Sequence, residues 1–229
     1  MRTVSKGAEC NVLRAWKRSN RTSPQNIHYD YLDGVTREAV LSQLVKEQAG
    51  LCAYTMKQII HRDGKWQAHI EHIRPRSQHD ADSSVSWTNL LACVPQPGGA
   101  CEYGAVRKSA YDPAKNPFVS PTMRGLAVHF RFRENGEIEG LTPEAVDTSA
   151  SGVLNLNHIA LVNDRGAKIL GALGRRPSAA AARRRAEELR KPDRSGNMEP
   201  YCEAVAQVLE VYAIRLERKA ARIGGVKRR

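Results

Sequence analysis

Two short segments carry most of the information in this sequence: HIEHIRPRS at residues 69–77 and WTNLLAC at residues 87–93. If the first segment is a β-strand, Glu71 and His72 point to opposite sides, and His69 shares the side of Glu71. A carboxylate beside an imidazole suits divalent-metal chemistry, because the carboxylate can hold the ion while the neutral imidazole removes a proton from water. The first segment is therefore a candidate catalytic site.

The second segment supplies Asn89, whose amide can hold the base in position or occupy a metal coordination site. A Glu-His pair on its own is common and is more often an ordinary part of a fold than a functional site. The residues around this pair are what make it informative.

The order of these residues resembles that of the HNH (ββα-metal) nucleases. A Glu-His pair is followed 17 residues later by the asparagine of an Asn-Leu-Leu run, then by further cysteines and a short helix. The chain is most similar to the HNH nucleases of bacterial anti-phage systems, of the Septu (PtuB-like) and retron-associated type. The shared motifs include LCAYT at residues 51–55, CEYGAVRK at 101–108 and LNLN at 154–157. The resemblance is specific over about residues 50–120.

This resemblance implies an α+β fold, mostly helical, with a small ββα-metal core between N-terminal and C-terminal helices. The expected segments are an N-terminal helical segment (1–50), a nuclease core (51–120) and a hairpin followed by basic helices (121–229), together forming one unit.

Residue by residue, the resemblance implies that His72 is the general base and that Asn89 is the central asparagine of the motif. Glu71 is the first choice as a ligand for Mg²⁺ or Mn²⁺. Glu102 is the second choice, at a position where many HNH proteins have His or Asn. His69 is either a third ligand or a packing residue, and both interpretations stay open.

Many HNH domains also hold a structural zinc on two Cys-x-x-Cys pairs. Here Thr55 stands where the first pair needs its second thiolate. Cys52, Cys93 and Cys101 are one cysteine short of a four-cysteine site, although a nearby histidine could complete it. A zinc site and ordinary reduced cysteines both stay open, and zinc is the less favoured of the two.

The composition points to a polyanionic partner. The 229 residues carry a net charge of +12, and residues 175–229 hold 15 Lys and Arg against seven Asp and Glu. Two uses of this basic segment stay open: it is a solvated surface, or it contacts phosphate or a partner. With no apolar run of about 20 residues, we expect no membrane span. With no visible export signal and five cysteines, we expect a cytoplasmic location.

Local patterns predict several further elements. We expect helices over residues 9–19, from an N-cap at Thr36 to Gly50, from an N-cap at Asn157 to Gly174, over 179–190 after Ser178, and near the C-terminus. Alternating apolar residues at 126–133 predict a strand, and Asn135-Gly136 predicts a hairpin turn into residues 138–141.

The expected function is a metal-dependent endonuclease that hydrolyses DNA, with RNA as the second candidate substrate. Phosphate contacts are expected from Arg74, Arg76, Arg107 and Lys108. The resemblance implies an anti-phage role with an ATPase partner (PtuA-like). Two alternatives stay open: a non-catalytic nucleic-acid-binding or assembly subunit that retains the HNH scaffold, and a stand-alone restriction-type enzyme.

Overall fold

Helices and short hairpins alternate along the chain, in a computed structural model that describes residues 1–76, 81–174 and 176–226. The helices are α1 (Asn11–Ser19), α2 (Gly34–Glu47), α3 (Ala81–Ser84), α4 (Gly104–Lys108), α5 (Pro143–Ser149), α6 (Ile159–Leu173), α7 (Ala179–Leu189) and α8 (Cys202–Val226). The strands are β1 (His61–Arg62), β2 (Lys65–Trp66), β3 (His69–His72), β4 (Leu90–Cys93), β5 (Phe130–Phe132) and β6 (Ile138–Gly140). They pair as three antiparallel two-stranded sheets, β1–β2, β3–β4 and β5–β6, so the fold is α+β. Ser77 of the first motif, and Arg175 and residues 227–229 of the basic segment, lie outside the described residues.

Helix α2 begins earlier than the sequence predicts. The N-cap is Asp33 and not Thr36: its Oδ1 accepts a hydrogen bond from the Thr36 amide at 2.8 Å, and its Oδ2 accepts one from the Thr36 hydroxyl at 2.7 Å. A carboxylate is favoured there because it also complements the partial positive charge at a helix N-terminus. The predicted stop is confirmed, since Gly50 lies just beyond the helix with φ +77°.

The β3–β4 hairpin is fixed against the end of α2 by a side-chain amide. Its register pairs His72 with Leu90, and every residue of β4 is buried. On the other edge of β4, Gln48 Oε1 accepts a hydrogen bond from the Ala92 amide at 2.8 Å, and Gln48 Nε2 donates to the Ala92 carbonyl at 2.8 Å. The Gln48 amide thus takes the place of one residue of a neighbouring strand.

The predicted hairpin at Asn135-Gly136 is present, but its first strand is shorter than predicted. Residues Leu126–Val128 form a 3₁₀ turn, and the strand β5 covers only Phe130–Phe132. The alternation fails at Val128, whose residue surface is 67% exposed although the pattern predicts it inside. The Asn135-Gly136 turn is confirmed, and Gly136 takes the positive φ (+90°) that such a turn needs.

The cap of α6 also differs from the prediction. His158 is the N-cap, and its Nδ1 accepts a hydrogen bond from the Ala160 amide at 3.3 Å. The Asn157 side chain instead pairs with the backbone of Ile138 in β6, accepting at 2.8 Å and donating at 2.8 Å. The Asn157 side-chain amide thus bonds to the edge of β6, although the sequence pattern predicts it at the helix N-terminus.

One buried apolar cluster takes residues from all three predicted segments, including Leu13, Leu90 and Leu209. The C-terminal helices follow the predicted pattern: Ser178 caps α7, and α7 and α6 both pack on α8. Among the described helices, none is both long and apolar enough to cross a membrane.

Candidate functional site

A cleft of about 760 Å³ lies beside β3. Five parts of the chain line it: the 3₁₀ turn Tyr29–Tyr31, the start of α2, the strand β3, the loop after β4, and the end of α4. His69, Glu71 and His72 all line this cleft, so the structure brings together three of the residues predicted for the site.

His72 is held in the form that a general base requires. Its Nε2 lies 2.8 Å from the Ser84 carbonyl oxygen, which can only accept a hydrogen bond, so Nε2 carries the hydrogen and Nδ1 keeps its lone pair. Burial lowers the pKa of His72 to about 4, helped by the positive charges of Arg76 and Lys108 and opposed by the bond to Ser84. The imidazole is therefore neutral near neutral pH.

Glu71 lies on the other side of β3, as the strand period predicts. Its Oε1 is 3.1 Å from the Lys108 ammonium and accepts a hydrogen bond from the Tyr54 hydroxyl at 3.4 Å. Burial raises the pKa of Glu71, although the charge and hydrogen bond of Lys108 and the hydrogen bond from Tyr54 act in the opposite direction. One carboxylate oxygen is thus already paired inside the protein, and Oε2 faces His69 at 4.0 Å.

His69 has the arrangement found at metal-binding histidines. Its Nδ1 lies 2.6 Å from the Pro95 carbonyl oxygen, so Nδ1 carries the hydrogen and the Nε2 lone pair faces Glu71. Histidines that bind metals almost always donate their other ring N–H in this way.

Two donors, His69 Nε2 and Glu71 Oε2, therefore fit a divalent ion. A Mg²⁺ or Mn²⁺ ion commonly completes its coordination with water and substrate phosphate oxygens. Over the described ranges, no group of three or more His, Cys, Asp or Glu side chains is placed to hold a metal.

Asn89 fixes the loop that follows β3. Its Oδ1 accepts a hydrogen bond from the Arg74 amide at 2.8 Å, and its Nδ2 donates to the Arg74 carbonyl at 3.2 Å and to the Ser83 carbonyl at 3.0 Å. Because the next residue, Ser84, holds the His72 imidazole, Asn89 positions that imidazole through one peptide unit.

Glu102, the second predicted ligand, is not brought together with Glu71. Its side chain is 83% exposed, and its Oε2 lies 3.0 Å from His158 Nε2 at the start of α6. It is not among the residues that line the cleft.

Two of the three predicted zinc cysteines are neighbours. Burial opposes ionisation of Cys52, but hydrogen bonds from Cys93 and Thr55 outweigh it and lower the pKa of Cys52 to about 6. Burial raises the pKa of Cys93 well above its usual value. The thiol of Cys101 instead donates to the Tyr103 carbonyl at 3.3 Å.

Of the four residues predicted to contact phosphate, only Arg76 lines the cleft. Arg74 and Arg107 are exposed elsewhere, and Arg107 Nε donates to the Ser151 carbonyl at 2.6 Å. The side chain of Lys108 is 1% exposed and lies inside the protein, where its ammonium also donates to the His72 carbonyl at 3.0 Å. Lys108 therefore acts as an internal partner of Glu71 and is too buried for a phosphate on the surface.

Sequence reasoning missed the residues that form the opposite wall of the cleft. His28, Tyr29, Asp30 and Arg37 come from a segment more than 30 residues before β3. No local pattern marks them, because only the packing of α2 against the hairpin brings them there. Gln48 was missed for the same reason.

No family model matches this chain, and no curated protein matches it in sequence. The resemblance to HNH nucleases therefore rests on the motif residues alone.

Proposed function

We propose that this chain is a metal-dependent HNH-type endonuclease that hydrolyses phosphodiester bonds in DNA, with RNA as the second candidate. The observation that carries the proposal is the state of His72. Its imidazole is neutral, its tautomer is fixed by the Ser84 carbonyl, and it shares a cleft with Glu71 and His69.

In the proposed reaction, His72 Nδ1 removes a proton from a water molecule, and the water oxygen forms a bond to phosphorus. The bond from phosphorus to the leaving oxygen of the backbone then breaks, and that oxygen takes up a proton from solvent, while the proton on His72 returns to solvent. His69 and Glu71 would hold a Mg²⁺ or Mn²⁺ ion, which when bound neutralises charge that develops on the phosphate. Asn89 is a positioning residue, because it fixes the peptide that holds His72.

The biological setting is proposed from the motif resemblance alone. We propose that the chain is the nuclease effector of a cytoplasmic anti-phage system and works with an ATPase subunit. A nuclease that is always active harms its host, so control by such a partner is expected.

The test is cleavage of plasmid DNA and of total RNA with Mg²⁺ or Mn²⁺, with and without a PtuA-like ATPase. Replacing a general base lowers the rate by about 10²–10⁴-fold, so we expect that loss in His72→Ala. The matched control is His61→Ala, which removes an exposed histidine from β1 and should cleave as the wild type does. Cleavage that survives in His72→Ala would contradict the proposal.

One observation favours a second function, a non-catalytic nucleic-acid-binding subunit. The Lys108 ammonium already neutralises Glu71 inside the protein, so the carboxylate is stable without a metal ion. Calorimetric titration with Mn²⁺ separates the two functions. A catalytic site binds Mn²⁺ and loses that binding in Glu71→Ala, whereas a pure binding module has no reason to show either result.

A further inference from the structure

The wall of the cleft that faces His72 includes one aromatic ring with two arginines close to it. The Tyr29 ring stands edge-on to the His72 imidazole, with 4.7 Å between the ring centroids. The guanidinium of Arg37 lies 5.0 Å from the centre of the same tyrosine ring, and that of Arg76 lies 4.8 Å from it. Two permanent positive charges are therefore held close to the proposed base, at distances typical of cation–π contacts.

The hydrogen bonds of these arginines are only partly used by the protein. Arg37 Nη2 donates to the carbonyl oxygens of Tyr29 and Asp30, both at 3.2 Å. Its Nε is buried and has no hydrogen-bond partner within the described part of the chain. A buried donor without a protein partner is unfavourable unless a water or ligand oxygen accepts its hydrogen bond.

Arg76 has a partner, and the partner resembles a phosphate. Its Nη1 pairs with a carboxylate oxygen of Asp30, whose side chain is 62% exposed. A carboxylate and a phosphodiester both present two oxygens that share a negative charge, and a guanidinium binds either of them. The Asp30 carboxylate can thus be exchanged for a phosphate from solution without any change in the arginine.

We propose that Arg37 and Arg76 form a binding site for a backbone phosphate of the nucleic acid, next to the phosphate that is attacked by the water activated at His72. In the free protein the Asp30 carboxylate occupies this site, so the substrate must displace it. This inference rests on the proposed function, since it names how the same cleft holds its substrate.

The charges of the cleft agree with this role. Lys108 neutralises Glu71 from inside, and Asp30 offsets one of the two arginines. Replacing Asp30 by Asn removes the competing negative charge and leaves Arg76 available. Asp30 is therefore expected to weaken nucleic-acid binding, which is the opposite of what a purely structural ion pair would do.

The test is fluorescence anisotropy in EDTA, where no cleavage occurs, with a short labelled DNA duplex and a short single-stranded RNA as the two probes. We expect Asp30→Asn to bind more tightly by about fivefold, and Arg76→Ala to bind more weakly by about fivefold, which is the effect of about 1 kcal/mol. For the duplex, each lost phosphate contact should also reduce the salt slope by about 0.9. The probe with the larger effect identifies the substrate as DNA or RNA.

Matched controls come from the β1–β2 hairpin, away from the cleft. Asp63→Asn and Arg62→Ala make the same changes in net charge at exposed positions, and Asn tolerates the left-handed backbone of Asp63 (φ 51°). If Asp30→Asn changes affinity no more than Asp63→Asn, only net charge matters and the inference is wrong.

Arg37 is tested with two variants, because Arg37→Ala also removes bonds to the Tyr29–Asp30 backbone. Arg37→Lys keeps the positive charge but loses the guanidinium, whose N–H groups can bind two oxygens of one phosphate. It should therefore bind nucleic acid more weakly than wild type, while its melting temperature stays nearly the same. Wild-type affinity in a folded Arg37→Lys would overturn the role of Arg37. Binding effects at Asp30 and Arg76 without any His72-dependent cleavage would support the phosphate site and reject the nuclease; the reverse pattern would reject the phosphate site alone.

Discussion

The cleft beside β3 and the surface of α7 and α8 both contain ion pairs, and they differ in how much water reaches them. In the cleft, the side chains of Lys108 and Glu71 are 1% and 13% exposed. On the helices, the side chains of Arg183 and Glu217 are 45% and 47% exposed. The same chemical contact therefore has different consequences, because water and salt screen the helix pair and leave the cleft pair almost unscreened.

The helix surface also shows that the net charge of a segment, counted from its sequence, does not give the charge that its folded surface presents. Residues 175–229 are strongly basic in sequence, yet several of their arginines are paired with glutamates. The paired arginines are Arg183, Arg185, Arg190 and Arg215. Within the described ranges, no carboxylate pairs with Arg218, Lys219 or Arg222, which lie toward the C-terminal end of α8.

The largest effect expected from this comparison is that of Lys108→Met. Removing one partner of a buried ion pair leaves an uncompensated charge and costs about 3–5 kcal/mol. Without the ammonium, the pKa of Glu71 rises further, so the loss should grow as the pH rises. Urea unfolding of wild type and variant at several pH values measures this.

The control for that prediction is an exposed pair. Lys57 Nζ lies 2.9 Å from Asp164, with side chains 30% and 47% exposed, so Lys57→Met should cost about 1 kcal/mol or less. The double variant Glu71→Gln/Lys108→Met should recover part of the stability lost in Lys108→Met. Equal losses at Lys108 and Lys57 would mean that burial does not separate the two kinds of pair.

The next effect is a pH dependence that comes from His72. Its pKa falls from 6.5 in a free chain to about 4 in the folded protein, so the unfolded chain binds more protons between these values. The contribution of His72 to the free energy of unfolding is therefore fully present above pH 6.5, the pKa in the free chain, and is lost as the pH falls toward 4. The loss is about 2 kcal/mol between about pH 7 and about pH 5.

This loss is isolated by comparison with His72→Asn, whose amide can still donate to the Ser84 carbonyl. The buried Met1 amine, whose pKa is lowered to about 5 by burial and by Arg165, contributes to the pH dependence of both proteins and cancels in the difference. Identical pH profiles for the two proteins would show that His72 is not held neutral by the fold.

How far the sequence predicts this site depends on how local each signal is. The opposite directions of Glu71 and His72, and the side shared by His69 and Glu71, follow from the period of a strand and agree with the structure. The partner of Glu71 does not follow, because Lys108 lies 37 residues later on a helix whose orientation only packing determines.

The same distinction bears on one of the predictions that were wrong and on the wall that was missed. Asp33 and Thr36 are both residue types that cap helices, and the hydrogen bonds show that Asp33 is the cap. The cleft wall at Tyr29, Asp30 and Arg37 has no local signal. Contacts between segments that are far apart in the chain depend on how the whole apolar core packs. Local sequence patterns therefore do not predict them.

The smallest expected effect is at the helix surface, where Arg190 contacts two carboxylates. Its guanidinium lies 3.1 Å from Glu203 and 3.0 Å from Glu210, and its side chain is 36% exposed. Arg190→Ala should lower the free energy of unfolding by about 1 kcal/mol or less, because exposed pairs gain little over their hydrated ions. The loss should shrink further in high salt, where screening acts over only about 3 Å. If the free energy of unfolding falls as much as in Lys108→Met, or if salt does not change the loss, then the ion pairs of Arg190 behave like a buried pair. The two regions would then not differ in how water and salt screen their ion pairs.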